Sequence, residues 1–271
     1  MLTFVPTPIG NLGDISFRTI EVLKDAELIL CEDTRITKRL FQLICERYNV
    51  ILPKLDFISL HSHNEKEFLT TQNKETLKIK NCIYLSDAGM PCVSDPGSHL
   101  VEFCLDNNIE YDVLPGANAI LTAYASSGFP NTTFTFFGFL PHKGTGRSDM
   151  LDKVMNSENL AILYESPHRL LKLLEEINGI DNKRVVFLTK ELTKKYQKRY
   201  KDSIKNIVRQ LKNETIKGEW VVIIEPKIQE NSGIITYNDI KDLSLAPKQK
   251  AKLLSKLTGE SVKDIYNNLI S

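Results

Sequence analysis

Short β-rich runs alternate with amphipathic helical stretches along almost the whole chain, and this alternation constrains the fold more than any other feature. Such a pattern builds parallel sheets whose strands are joined by crossover helices. The predicted strands of the first half are Leu2 to Val5, Glu27 to Cys31, Phe57 to Leu60, Cys82 to Ser86 and Glu110 to Leu114. A second series comes after the Pro115-Gly116 turn: Phe134 to Gly138, Leu160 to Tyr164, Arg184 to Thr189, Tyr196 to Asp202 and Trp220 to Glu225. Five strands on each side predict two α/β domains, 1–115 and 116–226, with no sequence repeat between them. In the first helical stretch Phe17, Ile20 and Leu23 share one face, expected to be core, and Ser16 is placed to cap the first turn.

After Pro226 the polar segment 227–236, with Gln229, Asn231, Ser232 and Gly233, reads as a linker. Residues 237–271 read as a small helical extension. Pro247 starts a helix with Ala251, Leu254 and Leu257 inward, Thr258-Gly259 stops it, and Ser261 with Asp264 opens a second helix through Leu269.

Composition supports this reading. Of 271 residues, 42% are hydrophobic and 25% charged, with only 11 Pro and 13 Gly, which excludes disordered, collagen-like and disulfide-scaffold classes. Lys and Arg number 35 against 34 Asp and Glu, a formal charge of +1, so any surface for a polyanion must be local. The five cysteines (Cys31, Cys45, Cys82, Cys92, Cys104) are odd in number, form no CxxC and sit mostly in apolar runs. That usage predicts reduced, buried thiols in a cytoplasmic protein. No apolar run approaches the roughly 20 residues that span a bilayer, so no membrane association is expected.

The residues that carry chemistry cluster where predicted strands end. Pro6-Thr7-Pro8-Ile9-Gly10-Asn11-Leu12-Gly13-Asp14 comes directly after the first strand, and in open α/β sheets the carboxyl ends of strands are where ligands sit. Glu32-Asp33-Thr34-Arg35 stands after the second. Asp33 suits a helix N-terminus, but the helix dipole repels a first-turn arginine, so Arg35 is expected to face an anion or carboxylate. Ser86 to Gly97 succeeds the fourth strand with two carboxylates: Asp87 reads as a site residue, Asp95 as the cap of a helix beginning at Pro96. His61-Ser62-His63 invites a zinc reading, yet no third ligand lies at a recognisable spacing, so cleft-lining polar contacts are favoured and no metal is expected.

In the second half, Ser166 and Pro167 of Tyr164 to Arg169 are explained as N-cap and first helical residue, which leaves Glu165, His168 and Arg169 at a strand-end rim. Lys190-Glu191-Leu192-Thr193-Lys194 succeeds the next strand in the same manner. From Lys183 to Lys201, eight Lys or Arg stand against the single acid Glu191 and are interleaved with Tyr196 and Tyr200, a composition that suits a phosphate backbone as well as a solvated face. The loop Pro141 to Arg147 adds positive charge expected to be mobile, at Lys143 and Arg147.

Taken together, TPIGNLGDIS (7–16), AELILCEDTR (26–35), HSHNE (61–65), SDAGMPCVSDPG (86–97), LPGANA (114–119), FFGFLP (136–141), YESPHR (164–169) and KELTK (190–194) resemble the bacterial 16S ribosomal RNA (cytidine) 2′-O-ribose methyltransferases, a branch of the tetrapyrrole methylase superfamily. The resemblance implies a two-domain class III methyltransferase that binds S-adenosyl-L-methionine between its domains, a homodimer, and a substrate in 16S ribosomal RNA of the small ribosomal subunit. It implies cofactor contacts at Pro8, Gly10, Asp87, Ala88, Gly89, Met90, Pro115, Gly116, Asn118 and Ala119. Met90 and Asn118 depart from the commoner Thr and Ser of the family.

An alcohol is a poor nucleophile at neutral pH, so 2′-O-methylation calls for a base within hydrogen-bond reach of it. The candidates are Asp33, Glu165, His168, Lys190 and Glu191, while Arg35, His61, His63, Lys143, Arg147, Arg169, Lys194 and Lys195 are candidate RNA contacts. Two alternatives stand beside this reading: methylation of a small tetrapyrrole-like substrate on the same fold, and a ribosome-binding assembly factor without catalysis.

Overall fold

The computed structural model describes residues 1–61, 64–69, 71–227 and 236–270. All ten anticipated strands form: β1 (Leu2–Val5), β2 (Leu28–Cys31), β3 (Asp56–Ser59), β4 (Cys82–Leu85), β5 (Tyr111–Val113), β6 (Phe134–Phe139), β7 (Leu160–Glu165), β8 (Val185–Lys190), β9 (Lys198–Ser203) and β10 (Trp220–Ile224). They make two five-stranded sheets, ordered β3-β2-β4-β1-β5 and β6-β7-β10-β8-β9, within one compact unit, Met1–Lys227.

The first sheet is parallel throughout. Strands β1, β2 and β4 are buried along their whole length, as continuous apolar strands covered on both faces should be. In this order β2, β4 and β1 are neighbours, so the loops after them leave one carboxyl rim side by side. The second sheet departs from the expected parallel arrangement. Only β6 and β7 pair in parallel, while β7-β10, β10-β8 and β8-β9 are antiparallel. The connection 191–197 between β8 and β9 is too short for a crossover, which takes a dozen or more residues, so the chain must turn back on itself there.

The helix Phe17–Lys24 is capped by Ser16, whose Oγ accepts the Thr19 N–H at 3.0 Å. Its buried face carries Thr19, Ile20 and Leu23, not Phe17, which is 84% exposed at the first helical position and beyond the reach of the sheet. Cys31, Cys82 and Cys104 are buried, Cys45 and Cys92 half-buried, and all five are free thiols. Among the described residues no helix is long and apolar enough to cross a membrane.

A second compact unit, Ile228–Ser271, contains the helices Tyr237–Asp242, Pro247–Thr258 and Val262–Ile270. Thr236, at the edge of the predicted linker, forms a capping box with Asp239 on the first of these. Ile240, Ala251, Leu254 and Ile265 make its small core. Leu257, expected inward, is 49% exposed. Most of the expected linker, 228–235, lies outside the described residues.

Candidate functional site

Two loops of the first sheet are laced together at its carboxyl rim. Thr7 after β1 and Gly89 after β4 exchange both backbone hydrogen bonds, at 2.9 and 3.0 Å, and form an isolated antiparallel bridge. The Thr7 hydroxyl donates to the Ser86 carbonyl at 3.2 Å, and the Ser86 hydroxyl donates to the Gly89 carbonyl at 2.9 Å. Gly89 holds a left-handed backbone, φ +88°, that a side chain would oppose. The third loop joins through Asp33, whose N–H donates to the Asp87 carboxylate at 3.0 Å.

The second half reaches this rim through the 191–194 turn. The Asn11 N–H donates to Thr193 Oγ1 at 3.0 Å, and a side chain at Gly10 would meet the Leu192 carbonyl at 2.9 Å. Glu191 and Thr193 both adopt positive φ, 53° and 62°, a strain that persists only where surroundings over-determine it. Here they do: the Glu191 carboxylate accepts the Glu219 N–H at 3.0 Å and the Lys194 ammonium at 3.1 Å, and Lys194 also reaches Glu219 at 2.8 Å.

Between the two halves lies a cavity of about 330 Å³. Its walls are Ile9 and Ala88 from the first half and Ala119, Tyr164, Thr189, Leu192, Trp220 and Val221 from the second, with Asp95, Glu165 and Glu219 as acids. A smaller adjoining cavity of about 50 Å³ adds Gly89, Met90, Val93 and Asn118 and shares Ile9, Ala88, Asp95, Ala119 and Tyr164. Two fully buried polar atoms in the wall residues, Glu165 Oε2 and Thr189 Oγ1, have no hydrogen-bond partner among the described residues.

Of the cofactor residues expected from sequence, Ala88, Gly89, Met90, Asn118 and Ala119 line these cavities. Asn118 also caps the helix Ala119–Ser127, its Oδ1 accepting the Leu121 N–H at 3.0 Å. Asp87, Pro8, Gly10, Pro115 and Gly116 shape the surrounding loops rather than the walls. At Gly116 the reason is close approach: a methyl there would sit 2.7 Å from Pro6 Cβ. Gly116→Ala is therefore expected to destabilise the fold by about 1–3 kcal/mol, the usual cost of overpacking, readable as a lowered denaturation midpoint.

The five candidate bases separate clearly. Asp33 caps the helix Thr34–Tyr48 and is gripped by Arg35, whose Nε and Nη2 donate to its two oxygens at 3.1 and 2.6 Å. These hydrogen bonds, with the Arg35 N–H, hold its pKa at about 2, so it is a feeble base. The anion that Arg35 was expected to face is thus its own neighbour. Glu191 is likewise held below the usual carboxylate range, first by the Glu219 N–H and then by Lys194. Lys190 lies 5.8 Å from the Trp220 ring centroid and His168 is exposed; neither lines a described cavity. Glu165 does line the larger one, but its Oε1 accepts the Ser166 N–H at 2.8 Å and pairs with Arg169 at 3.2 Å.

Asp95 is not the helix cap that its place before Pro96 predicts. The helix Ser98–Asp106 begins later, with Gly97 as its cap residue at φ 120°, because a Cβ at 97 would press on Tyr84 at 2.8 Å and only glycine lets the chain turn there. Asp95 is left half-buried on the walls of both cavities, with no hydrogen bond or ion pair among the described residues. Burial, then the nearby negative charges of Glu32 and Asp87, push its pKa up to about 7. A carboxyl after a glycine-proline-rich strand end was visible in the sequence; the partnerless environment was not.

The candidate RNA contacts also divide. Lys143, Lys195 and the Arg35 side chain are exposed. Arg147 is not the mobile loop cation expected: it is 4% exposed in the helix Thr145–Met155, bonded to Glu176 at 2.5 Å and to the Pro141 carbonyl at 3.0 Å. Arg169 is committed to Glu165 and the Leu140 carbonyl, and Lys194 to its two glutamates. Within the basic stretch, Arg184 turns inward to Asp181 and the Glu225 carbonyl. His61 is half-buried, and its N–H donates to Asn64 Oδ1 at 2.8 Å; His63 lies outside the described residues.

Comparison with known proteins agrees with this architecture. The chain is 49% identical over 271 residues, all of both chains, to a Campylobacter fetus protein named ribosomal RNA small subunit methyltransferase I. Among solved structures it is similar in fold to a diphthine synthase, with TM-score 0.62 and 15% identity over 83% of this chain and 90% of that one. It is also similar to a Thermus thermophilus uroporphyrin-III C-methyl transferase complexed with S-adenyl homocysteine, with TM-score 0.54 and 15% identity over 82% and 96%. A family model for the tetrapyrrole (corrin/porphyrin) methylases matches residues 1–208, and with the full-length relative it shows that this chain belongs to the tetrapyrrole methylase family.

Proposed function

We propose that this chain transfers the methyl group of S-adenosylmethionine to the 2′-hydroxyl of a cytidine in the decoding region of 16S ribosomal RNA, with Asp95 as the base. The observation that carries the proposal is the carboxylate of Asp95, partnerless among the described residues, standing on both cavities at the rim where the two sheets meet. The name of the full-length relative supports the RNA acceptor.

The residues present suit the methyl donor. The cavity volume falls in the range of small-molecule sites, roughly 300–1,000 Å³. The wall residues hold two buried polar atoms in need of partners, and Asp95 stands with them, without a cation of its own among the described residues. Ile9, Ala88 to Met90, Asn118, Ala119, Leu192 and Val221 would hold it. When bound, it supplies an electrophilic methyl on a positively charged sulfur.

The chain's own residues then do three things. The laced loops 7–11 and 86–90, with the 191–194 turn, fix the walls so that reactants meet in line, and alignment of this kind is worth several powers of ten in rate. The apolar walls exclude water. A carboxylate oxygen of Asp95 accepts the hydroxyl proton as the 2′-oxygen attacks.

Exposed Lys195 and Arg199, in and beside the β8-β9 turn, supply charge for an RNA backbone. The resemblance adds a homodimer, cysteine usage a cytoplasmic setting and the strand pattern a division of the main unit at about residue 115, all part of this proposal.

Methyl transfer is tested with small ribosomal subunits beside a porphyrin precursor, with calorimetry for S-adenosylmethionine. Binding with transfer to subunits at a cytidine 2′-oxygen is expected. Transfer to the porphyrin precursor alone would reassign the acceptor, and absence of cofactor binding would leave a non-catalytic assembly factor.

A further inference from the structure

Phe139 is 55% exposed although it lines the larger cavity. Along β6, Phe136 lies opposite Ile162 and faces the core shared with Val221 and Ile223, while Phe137 packs on the other core with Leu163 and Val222. Strict alternation would put Phe139 beside Phe137, inside that second core. The register slips instead between Phe136 and Gly138, so that Gly138 pairs with Leu163 and Phe139 with Tyr164. Gly138 takes φ +68°, a left-handed backbone found in glycine-containing bulges.

The bulge thus turns Phe139 away from a core it could fill and onto the cavity side. There its ring centroid lies 5.6 Å from that of Tyr164, with the planes at 58°. Trp220, by contrast, is 2% exposed, so Phe139 is the exposed ring among the described residues that line the cavity. Asp95 lies on the same cavity. Beyond Phe139 the chain continues through exposed His142 and Lys143, and exposed His168 opens the helix after β7, the neighbouring strand. An exposed aromatic face followed in the chain by an exposed lysine, Lys143, is what single-stranded nucleic acid binds: the ring stacks a base and the charge meets the backbone.

We infer that Phe139 is a stacking platform for a base of the RNA substrate at the cavity mouth, which fixes the attached ribose within reach of Asp95. The inference rests on the RNA reading above and adds the residue that holds the base.

The test uses the full chain with Phe139→Leu, which keeps apolar bulk but removes the ring, and Phe139→Tyr, which keeps the ring. Three quantities are read at fixed salt: the KM for small-subunit ribosomal RNA in methyl transfer, the affinity for S-adenosylmethionine by calorimetry, and sedimentation mass. Phe139→Leu is expected to raise the RNA KM roughly ten-fold or more, the loss typical of one stacked base, with cofactor affinity and mass unchanged. Phe139→Tyr is expected to stay near wild type. An RNA KM unmoved by Phe139→Leu overturns the inference while leaving the substrate reading intact. A loss of mass in Phe139→Leu overturns it too, since the ring would then be covered by a second copy of the chain. Failure of the wild-type chain to methylate ribosomal RNA sinks the substrate reading and this inference together.

Discussion

Asp95→Asn is expected to slow methyl transfer by about 10²–10⁴-fold, the usual contribution of a positioned general base, while calorimetry still registers the cofactor. The amide fills the same space and lines the same cavities but cannot take a proton. The pH profile sharpens the test. With the Asp95 pKa pushed up to about 7 by burial and by Glu32 and Asp87, the wild-type rate should rise with pH below about 7 and level off above it. Asp95→Asn should lack that limb.

Stability should move the opposite way. A carboxyl raised in the folded state keeps its proton between about pH 4 and 7, whereas the unfolded chain has already lost it. The folded state therefore binds more protons in that window, and its stability falls as pH rises through it. Asp95→Asn removes the cost, so the variant should be more stable than wild type at pH 8 and the same at pH 3. A variant that is inactive and also less stable at pH 8 would assign Asp95 a structural role and end its candidacy as base.

Arg147→Ala carries the second large effect, on folding. The guanidinium is nearly sealed from solvent and grips Glu176 with Nε and Nη2, while Nη1 closes on the Pro141 carbonyl. Removing one partner of a buried pair costs about 3–5 kcal/mol because a charge is left uncompensated; here the lower end applies, since Glu176 retains 28% exposure and Lys172 lies 3.9 Å away. Urea denaturation should thus lose about 3 kcal/mol in Arg147→Ala. The double change Arg147→Met with Glu176→Leu should recover much of it, because an apolar pair of similar volume leaves no unpaired charge. Undiminished stability combined with weakened RNA binding would restore the surface role read from the sequence.

That reversal shows where sequence reading stops. Pro141 to Arg147 looks like a mobile basic loop because its glycines and cations are local signals, and a partner 29 positions away is not. The same limit explains Asp95. Asp before Pro is a common helix start, and nothing in the chain order reveals that Gly97 delays the helix and leaves the carboxylate on a cavity. Arg35 was nearer to legible: an arginine that the dipole disfavours needs an anion, and the anion was two residues away. Phe17 and Leu257 depart for a simpler reason, since periodicity names a helix face without saying how far the face extends under its neighbours.

Phe139 belongs with these cases, because a one-residue slip in β6 decides which side of the sheet it occupies, and alternation alone points to the wrong side.

By itself the sequence determined the ten strands, the loops at their carboxyl ends and the residue types gathered there, because hydrophobic period and turn chemistry act over a few neighbouring residues. Only the tertiary structure decided which of the carboxylates at the rim would be neutralised by a cation or a backbone N–H and which would face the cavity alone. A side chain's chemistry is set by burial and by the charges around it, and those come from segments far apart in the chain.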